Sequence, residues 1–430
     1  MNDKSKHRII AIDDIRKSVA LKVTLAGLLA LSFAARAQQV IMPAPAYSVT
    51  PPAVQESQAN NEMTVFSAEG NAPGGAQETQ PLQYGIFNLR PHPSYRFLYG
   101  NGILSGTNQA ESTVINQLSP GFLLEIGRQW TLDYTPTWTF YSNNHFRDTL
   151  DHAVTLTGEA SYEDWTLGLS QGFTLSSDPL VETATQTSQQ TYSTAIKASY
   201  QFNNKMSTDL GLSQDIISAD QFNSSREWST RDWLNYEFWP RLNAGIGVGF
   251  GYLNEQSGPD MTYEQLLCRV NWRATDKISF QLNAGGEDRQ FLGGAGDLLN
   301  PIFGAAIQYQ PFEVTKISIS ADRMVSASYF TNSTTENTDF IGDLNQRLLG
   351  KLYLDLQGGY HVVKYVASAS AGSTVGNRED DFYTFSVQLS YPFAQRGTVA
   401  AFYQASSDSS TQVGYSYSSS QVGCQISYRF

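Results

Sequence analysis

From residue 92 to the end of the chain, apolar and polar residues alternate with a period of two. In the last segment Val422, Cys424, Ile426, Tyr428 and Phe430 are apolar, with Gly423, Gln425, Ser427 and Arg429 between them. Successive side chains of a β-strand point to opposite faces, so this segment reads as a strand with one apolar and one polar face. Trp130, Leu132, Tyr134, Trp138 and Phe140 alternate in the same way with Thr131, Asp133, Thr135, Thr137 and Thr139. Leu242, Ala244, Ile246, Val248, Phe250 and Tyr252 alternate with Asn243 and four glycines, Gly245, Gly247, Gly249 and Gly251. Eighteen such segments begin near residues 93, 112, 130, 152, 165, 190, 206, 227, 242, 262, 278, 300, 315, 338, 352, 381, 397 and 415. No helical heptad competes with them.

The connections alternate too. Eight span two to five residues, among them Gly127–Gln129, Glu163–Asp164, Asn203–Lys205 and Pro392–Arg396; nine span seven to fourteen, among them Asn143–Asp151, Ser176–Gln189 and Ala367–Glu379. A transmembrane antiparallel up-and-down β-barrel does this, with tight periplasmic turns and longer external loops. A soluble sandwich has no such asymmetry. The expected fold is therefore all-β, a barrel of about 18 strands over residues 89–430, with 16 as the alternative. Aromatic residues agree. Trp130, Trp165, Trp239, Trp272, Tyr309, Phe312 and Tyr391 lie at short turns, and Phe140, Tyr252, Phe330, Tyr360 and Tyr383 at the other strand ends. Such rings favour the headgroup layers of a membrane.

The first 88 residues follow other rules. Lys4, Lys6, Arg8, Arg16, Lys17 and Lys22 precede the apolar run Val23–Ala35, which ends in Ala35-Arg36-Ala37. A basic region, a short apolar run and an A-x-A site make residues 1–37 a secretory signal peptide, cut near Ala37. The run reaches only ~20 Å as a helix, against a bilayer core of ~30 Å. Residues 38–88, rich in Pro, Gln and Ala, have no period and read as a disordered periplasmic segment, or alternatively a plug.

Composition narrows the function classes. Of 430 residues, 41% are hydrophobic, 16% charged and 12% aromatic. The formal charge is −12, and removing the seven basic and three acidic residues of the signal leaves −16. That argues against nucleic acid as a partner. Two cysteines, Cys268 and Cys424, are too few for a disulfide framework or a zinc module, and both fall in lipid-facing registers.

If the apolar face meets lipid, the other lines a lumen. Its candidates are Arg96, Glu125, Asp133, Glu159, Lys197, Asp209, Asp215, Glu237, Arg269, Asp322, Asp355 and His361, among many Ser, Thr, Gln and Asn. Both signs suit a wet wall, and the acidic excess favours cations modestly. A solvated wall of paired charges without selectivity is the competing reading. The glycine face of 245–251 leaves room, either for a loop or the 38–88 segment folding against it or for strong local curvature. Catalysis has little to stand on. His145 lies in a loop and His152 follows it, with Asp148 and Asp151 between. That group could hold a metal or act as a base, though loop histidines beside acids are usually solvated. No other catalytic or cofactor motif appears.

The ending Ile426-Ser427-Tyr428-Arg429-Phe430 resembles the C-terminal signal read by the barrel-assembly machinery. The region Pro91–Phe430 is similar to the beta-barrel porins found beside exopolysaccharide genes. Pro93-Ser94-Tyr95-Arg96-Phe97, Leu118-Ser119-Pro120-Gly121-Phe122 and Leu132-Asp133-Tyr134 carry the likeness. The resemblance implies export of a cell-surface polysaccharide, with periplasmic export components as partners. Together with outer-membrane lipid and the assembly machinery, these complete the expected partners. The expectation is an outer-membrane porin-like channel, not an enzyme and without cofactors. A non-conducting structural or adhesive barrel is the alternative, and a barrel enzyme stands third.

The C-terminal reading generates a test. Changing Phe430 to Ser removes the last aromatic from the apolar face, and the folded, heat-modifiable barrel recovered in outer membranes should fall several-fold. Unchanged recovery would contradict the reading.

Overall fold

The computed structural model describes residues 82–106, 109–292, 296–368, 377–393 and 396–429. Eighteen strands form one closed antiparallel barrel: β1 Phe87–Gly106, β2 Gln109–Ile126, β3 Trp130–Tyr141, β4 Thr149–Tyr162, β5 Trp165–Ser176, β6 Gln189–Asn203, β7 Met206–Ala219, β8 Ser225–Trp239 and β9 Leu242–Glu255, followed by β10 Met261–Thr275, β11 Ile278–Phe291, β12 Leu298–Phe312, β13 Thr315–Ala327, β14 Ser333–Leu348, β15 Leu352–Ala367, β16 Glu379–Phe393, β17 Gly397–Ser410 and β18 Tyr417–Tyr428. Each strand pairs with the next. The ring closes where Ser94–Asn101 of β1 meet Ser427–Ser420 of β18, so no barrel edge is left open. The count is 18 rather than 16, and no predicted start lies more than six residues from the observed one.

One boundary differs from expectation. The barrel begins before residue 89, because Leu82–Tyr84 pairs with Phe87–Leu89 through a turn at Gly85. Apolar residues here (Leu82, Tyr84, Ile86, Phe87) sit in a stretch whose prolines and polar residues hid the hairpin. The signal peptide, residues 38–81 and Phe430 lie outside the described residues. The connections also differ. Eight short turns of two or three residues occupy one end, but five of the connections at the other end span only five or six. The first, between β1 and β2, spans two, because these strands run on for 20 and 18 residues where the others have 12 to 16.

Burial is inverted relative to a soluble sheet. Ile246 is 65% exposed and Leu266 70%, whereas Asn235 and Arg269 on the opposite face are 1% and 3% exposed. Exposed apolar area in water costs about 25 cal/mol per Å², so this exterior suits lipid. The same alternation holds around the ring. Tyr95, Phe97 and Tyr99 are exposed beside buried Arg96 and Leu98, and Tyr403 is exposed beside buried Phe402. Cys268 and Cys424 are exposed on the outer face. Aromatics mark both ends of the band, with Trp130, Trp165, Trp239, Trp272 and Phe312 near the short turns and Phe140, Trp228, Tyr252 and Tyr383 towards the long loops. Phe330 departs from the expected girdle: its ring packs against Tyr365 and Tyr415 beside Arg378.

The glycine face of β9 is explained by its neighbours. A Cβ at Gly245 would lie 2.5 Å from Asn235 Oδ1, one at Gly247 2.6 Å from Trp233 Cε3 and one at Gly249 2.8 Å from Gln265 Oε1; one at Gly251 would enter the Tyr263 ring. The stripe is a trough that receives large side chains from β8 and β10. Neither an inserted loop nor curvature is needed to account for it. Gly247→Val should therefore lower unfolding stability by about 1–3 kcal/mol through overpacking. Gly342→Ala, with nothing within 4 Å, should change it by less than about 0.5 kcal/mol. Urea titration of the folded barrel compares them.

Candidate functional site

The inward face is polar but only partly open. Among the sequence candidates, Arg269 and Asp209 meet directly: both are buried and form an ion pair. Asn235 donates to Asp209 at 2.9 Å, Ser199 donates to it at 2.9 Å, and the Arg269 guanidinium lies 4.4 Å from the centroid of the Trp233 ring. The other candidates are distributed around the ring. Arg96 donates to Gln404 and stacks 4.0 Å over Phe402. Glu125 pairs with Arg90 at 3.1 Å, and Asp133 with His92 at 3.3 Å. Asp355 accepts from Asn345, and His361 meets Asp339 at 2.7 Å. Glu159 is exposed, whereas Lys197, Asp215, Glu237 and Asp322 are intermediate in exposure.

A second buried network was missed by the sequence reading. Arg289 and Glu287, each 2% exposed, pair at 2.8 Å, and Gln265 donates to Glu287 at 2.7 Å. Arg289 also lies over the Tyr263 ring, whose hydroxyl donates to Glu227. Glu287 and Arg289 alternate with Asp288, so their shared face was legible; their burial was not. A buried pair is costly to desolvate and strongly destabilising to break. This side of the lumen is therefore a filled polar wall.

The long-loop end is narrowed by chain folded inward. Loop 177–188 carries a short ribbon, Pro179–Leu180 paired with Thr185–Gln186. Leu180 packs with Ala219 and Tyr329, while Val181 and Ala184 pack with Leu104, Phe382 and Tyr417. These partners belong to β7, β1, β16 and β18 and to loop 328–332, so the loop reaches across the mouth. Each fully buried Leu or Val contributes roughly 1.5–3 kcal/mol to that docking. Leu104 reaches the loop because β1 is irregular between Gly100 and Ile103. Gly102 there has φ +76° and lies close against the Ser418 carbonyl, a position only glycine fits. Loop 142–148 also turns inward, placing Phe146 against Leu98, Ile115 and Phe402.

Polar contacts fix the same loop. Glu182 accepts from the Ser328 hydroxyl at 2.6 Å and the Tyr329 amide at 2.9 Å. Arg378 donates to the Glu182 carbonyl at 2.9 Å, pairs with Asp380, and lies 3.8 Å over Tyr415 and 4.7 Å over Tyr365. Gln186 and Arg147 exchange hydrogen bonds of 2.9 and 3.0 Å. Burial pushes the Asp178 carboxyl up to about 7, Asp151 adding to the rise and the Tyr141 hydroxyl and Arg96 opposing it. Burial likewise raises Glu182 to about 7, against Ser328, the Tyr329 amide and Arg378, with Asp380 adding to the rise.

The histidine pair does not form a site. His145 Nδ1 lies 2.9 Å from Glu111, whereas His152 faces outward, stacked on Tyr134 with its hydroxyl 3.0 Å away. Residue 152 is an even-numbered position of β4, on the lipid-side face, whereas His145 sits in loop 142–148 against Glu111. Among the described residues no three His, Cys, Asp or Glu side chains converge as a metal site requires.

Solved structures of similar architecture include Pseudomonas aeruginosa OpdK with vanillate, at a TM-score of 0.42 and 12% identity, covering 80% of this chain and 98% of that one. Acinetobacter baumannii OccAB2 gives 0.45 and 9%, covering 80% and 98%; OccAB4 from the same organism gives 0.43 and 10%, covering 83% and 100%. At these values the likeness carries no inference about what this chain does. No protein-family model matches the chain, and no curated protein matches it. The barrel that the porin resemblance implies is present; the exopolysaccharide link is not shown.

The raised carboxyls make loop docking pH-dependent. Released, Asp178 and Glu182 return to ordinary values near 4. Docking is then strongest below about pH 4 and weakens as pH rises through about 7. Hydrogen-exchange protection factors of loop 177–188, which remove the intrinsic pH effect, should fall several-fold between pH 5 and 8. In Asp178→Asn/Glu182→Gln they should stay flat.

Proposed function

We propose that this protein is an outer-membrane channel for passive passage of small polar solutes, narrowed at its external mouth by loop 177–188. One observation carries the reading: around a closed ring of 18 strands the apolar face points out and the polar face points in. Only helices and closed barrels satisfy their backbone hydrogen bonds inside lipid, and barrels of 16–18 strands leave a lumen. Short turns then face the periplasm and long loops the exterior. Outer-membrane lipid and the barrel-assembly machinery are the partners this reading requires. Among the proposed lumen residues, acidic ones outnumber basic ones. Several are paired, so cation preference should be mild.

Export of a polysaccharide, with periplasmic export components, rests on the resemblance alone, and a loop packed across the mouth favours small solutes over a polymer. That same loop supports a second reading, a structural barrel closed by its own mouth. Planar-bilayer recording of the refolded protein separates the two. Stepwise conductance with cation preference, increased by deleting residues 179–186, is expected. Silence in both the full chain and the deletion variant would favour the structural barrel.

A further inference from the structure

The mouth contains a buried carboxylate, that of Asp408. Asp408 lies near the long-loop end of β17 on the face of buried Phe402, opposite Phe382 of β16 and Tyr417 of β18. It is 3% exposed, and among the described residues neither carboxylate oxygen has a hydrogen-bond partner. Leaving a buried polar group unsatisfied costs at least as much as a typical hydrogen bond gains, and more for a charged group, so such a group in a folded wall calls for an explanation.

Its neighbours say what would satisfy it. On the adjacent strand Asp380 has a cation: Arg378 donates to it at 2.9 Å and pairs with it, and the guanidinium is flanked by the rings of Tyr415 and Tyr365. This wall thus already holds one guanidinium between carboxylate and aromatic faces. Asp408 stands one strand over, opposite Phe382 and Tyr417; Arg378 is near enough to act on its charge but is hydrogen-bonded to Asp380. Arg378 is one cation set against the two carboxylates Asp380 and Asp408, so a further positive partner is favoured. A divalent metal is not, since no three ligating side chains converge among the described residues. An organic cation, softly hydrated and suited to aromatic faces, fits both features. Val181 and Ala184, at the tip of loop 177–188, pack in one cluster with Phe382 and Tyr417, the cross-strand neighbours of Asp408.

We propose that Asp408, flanked by Phe382 and Tyr417, binds the ammonium or guanidinium group of a small organic cation entering at the mouth, and that loop 177–188 is displaced when it does so. The inference rests on the channel reading and names its solute class: primary amines and guanidines rather than carboxylates or neutral sugars.

Isothermal titration of the detergent-refolded full chain with agmatine tests it without requiring conduction. Agmatine should bind, succinate and glycerol should not, and Asp408→Asn should weaken agmatine at least tenfold. Asp276→Asn, a change at an exposed short turn on the opposite end of the barrel, should leave binding unchanged. Asp408→Glu, keeping the charge, should retain most of it and covers the case in which Asp408→Asn fails to fold. No agmatine binding by the unmodified chain, or equal binding by folded Asp408→Asn, would overturn the site. Bilayer recording alongside keeps the two readings apart. A barrel that binds agmatine but never conducts sinks the channel, and one that conducts without binding sinks the site.

Discussion

Backbone amides and carbonyls have no water to bond inside a bilayer, and this single constraint organises the molecule. A sheet answers it only by closing on itself, which here happens through eight paired residues where β1 meets β18. Closure commits one face of every strand to lipid and the other to a shared interior. The period-two pattern, the outward Ile246 and Leu266 and the inward Asn235 and Arg269 are consequences of that commitment. In a soluble sheet the same residues would be placed the other way round.

A ring of 18 strands leaves more interior than its own side chains need to fill, and the chain uses that space unevenly. Along β7–β11 it is filled by the Asp209–Asn235–Arg269 and Glu287–Arg289 networks, and glycines of β9 make the room. The mouth is narrowed instead by loops, held by small apolar clusters and by Glu182 and Arg378. The two solutions differ in strength. The strand networks are locked between neighbours that share a ladder, whereas the loop is held by a few apolar side chains and by carboxyls that burial has made reluctant to ionise. The mouth is accordingly where pH can act, and where the proposed solute would enter.

Strand parity was readable because it repeats across hundreds of residues and needs no tertiary knowledge. Trp130, Ile246 and Ile426 announce their face by their neighbours alone. What parity cannot supply is depth or distance. Arg269 and Asp209 were each legible as inward, but their pairing depends on ring order, sixty residues apart. Glu182 and Arg378 lie in segments without any period, and their contact crosses the mouth. The hairpin at Leu82–Leu89 was hidden because a three-residue strand is shorter than any pattern. His145 and His152 are only seven residues apart in sequence, yet one sits in a loop against Glu111 and the other on the lipid-side face of β4.

The central claim, lipid on one face and water on the other, is tested most directly by nitroxide scanning along β13 in bilayers, with Cys268 and Cys424 replaced by Ser. Labels at Ile317, Ile319 and Ala321 should be accessible to oxygen and shielded from a water-soluble nickel chelate. Labels at Lys316, Ser318 and Ser320 should show the reverse. Nickel access at every position, or the opposite phase, would contradict the account.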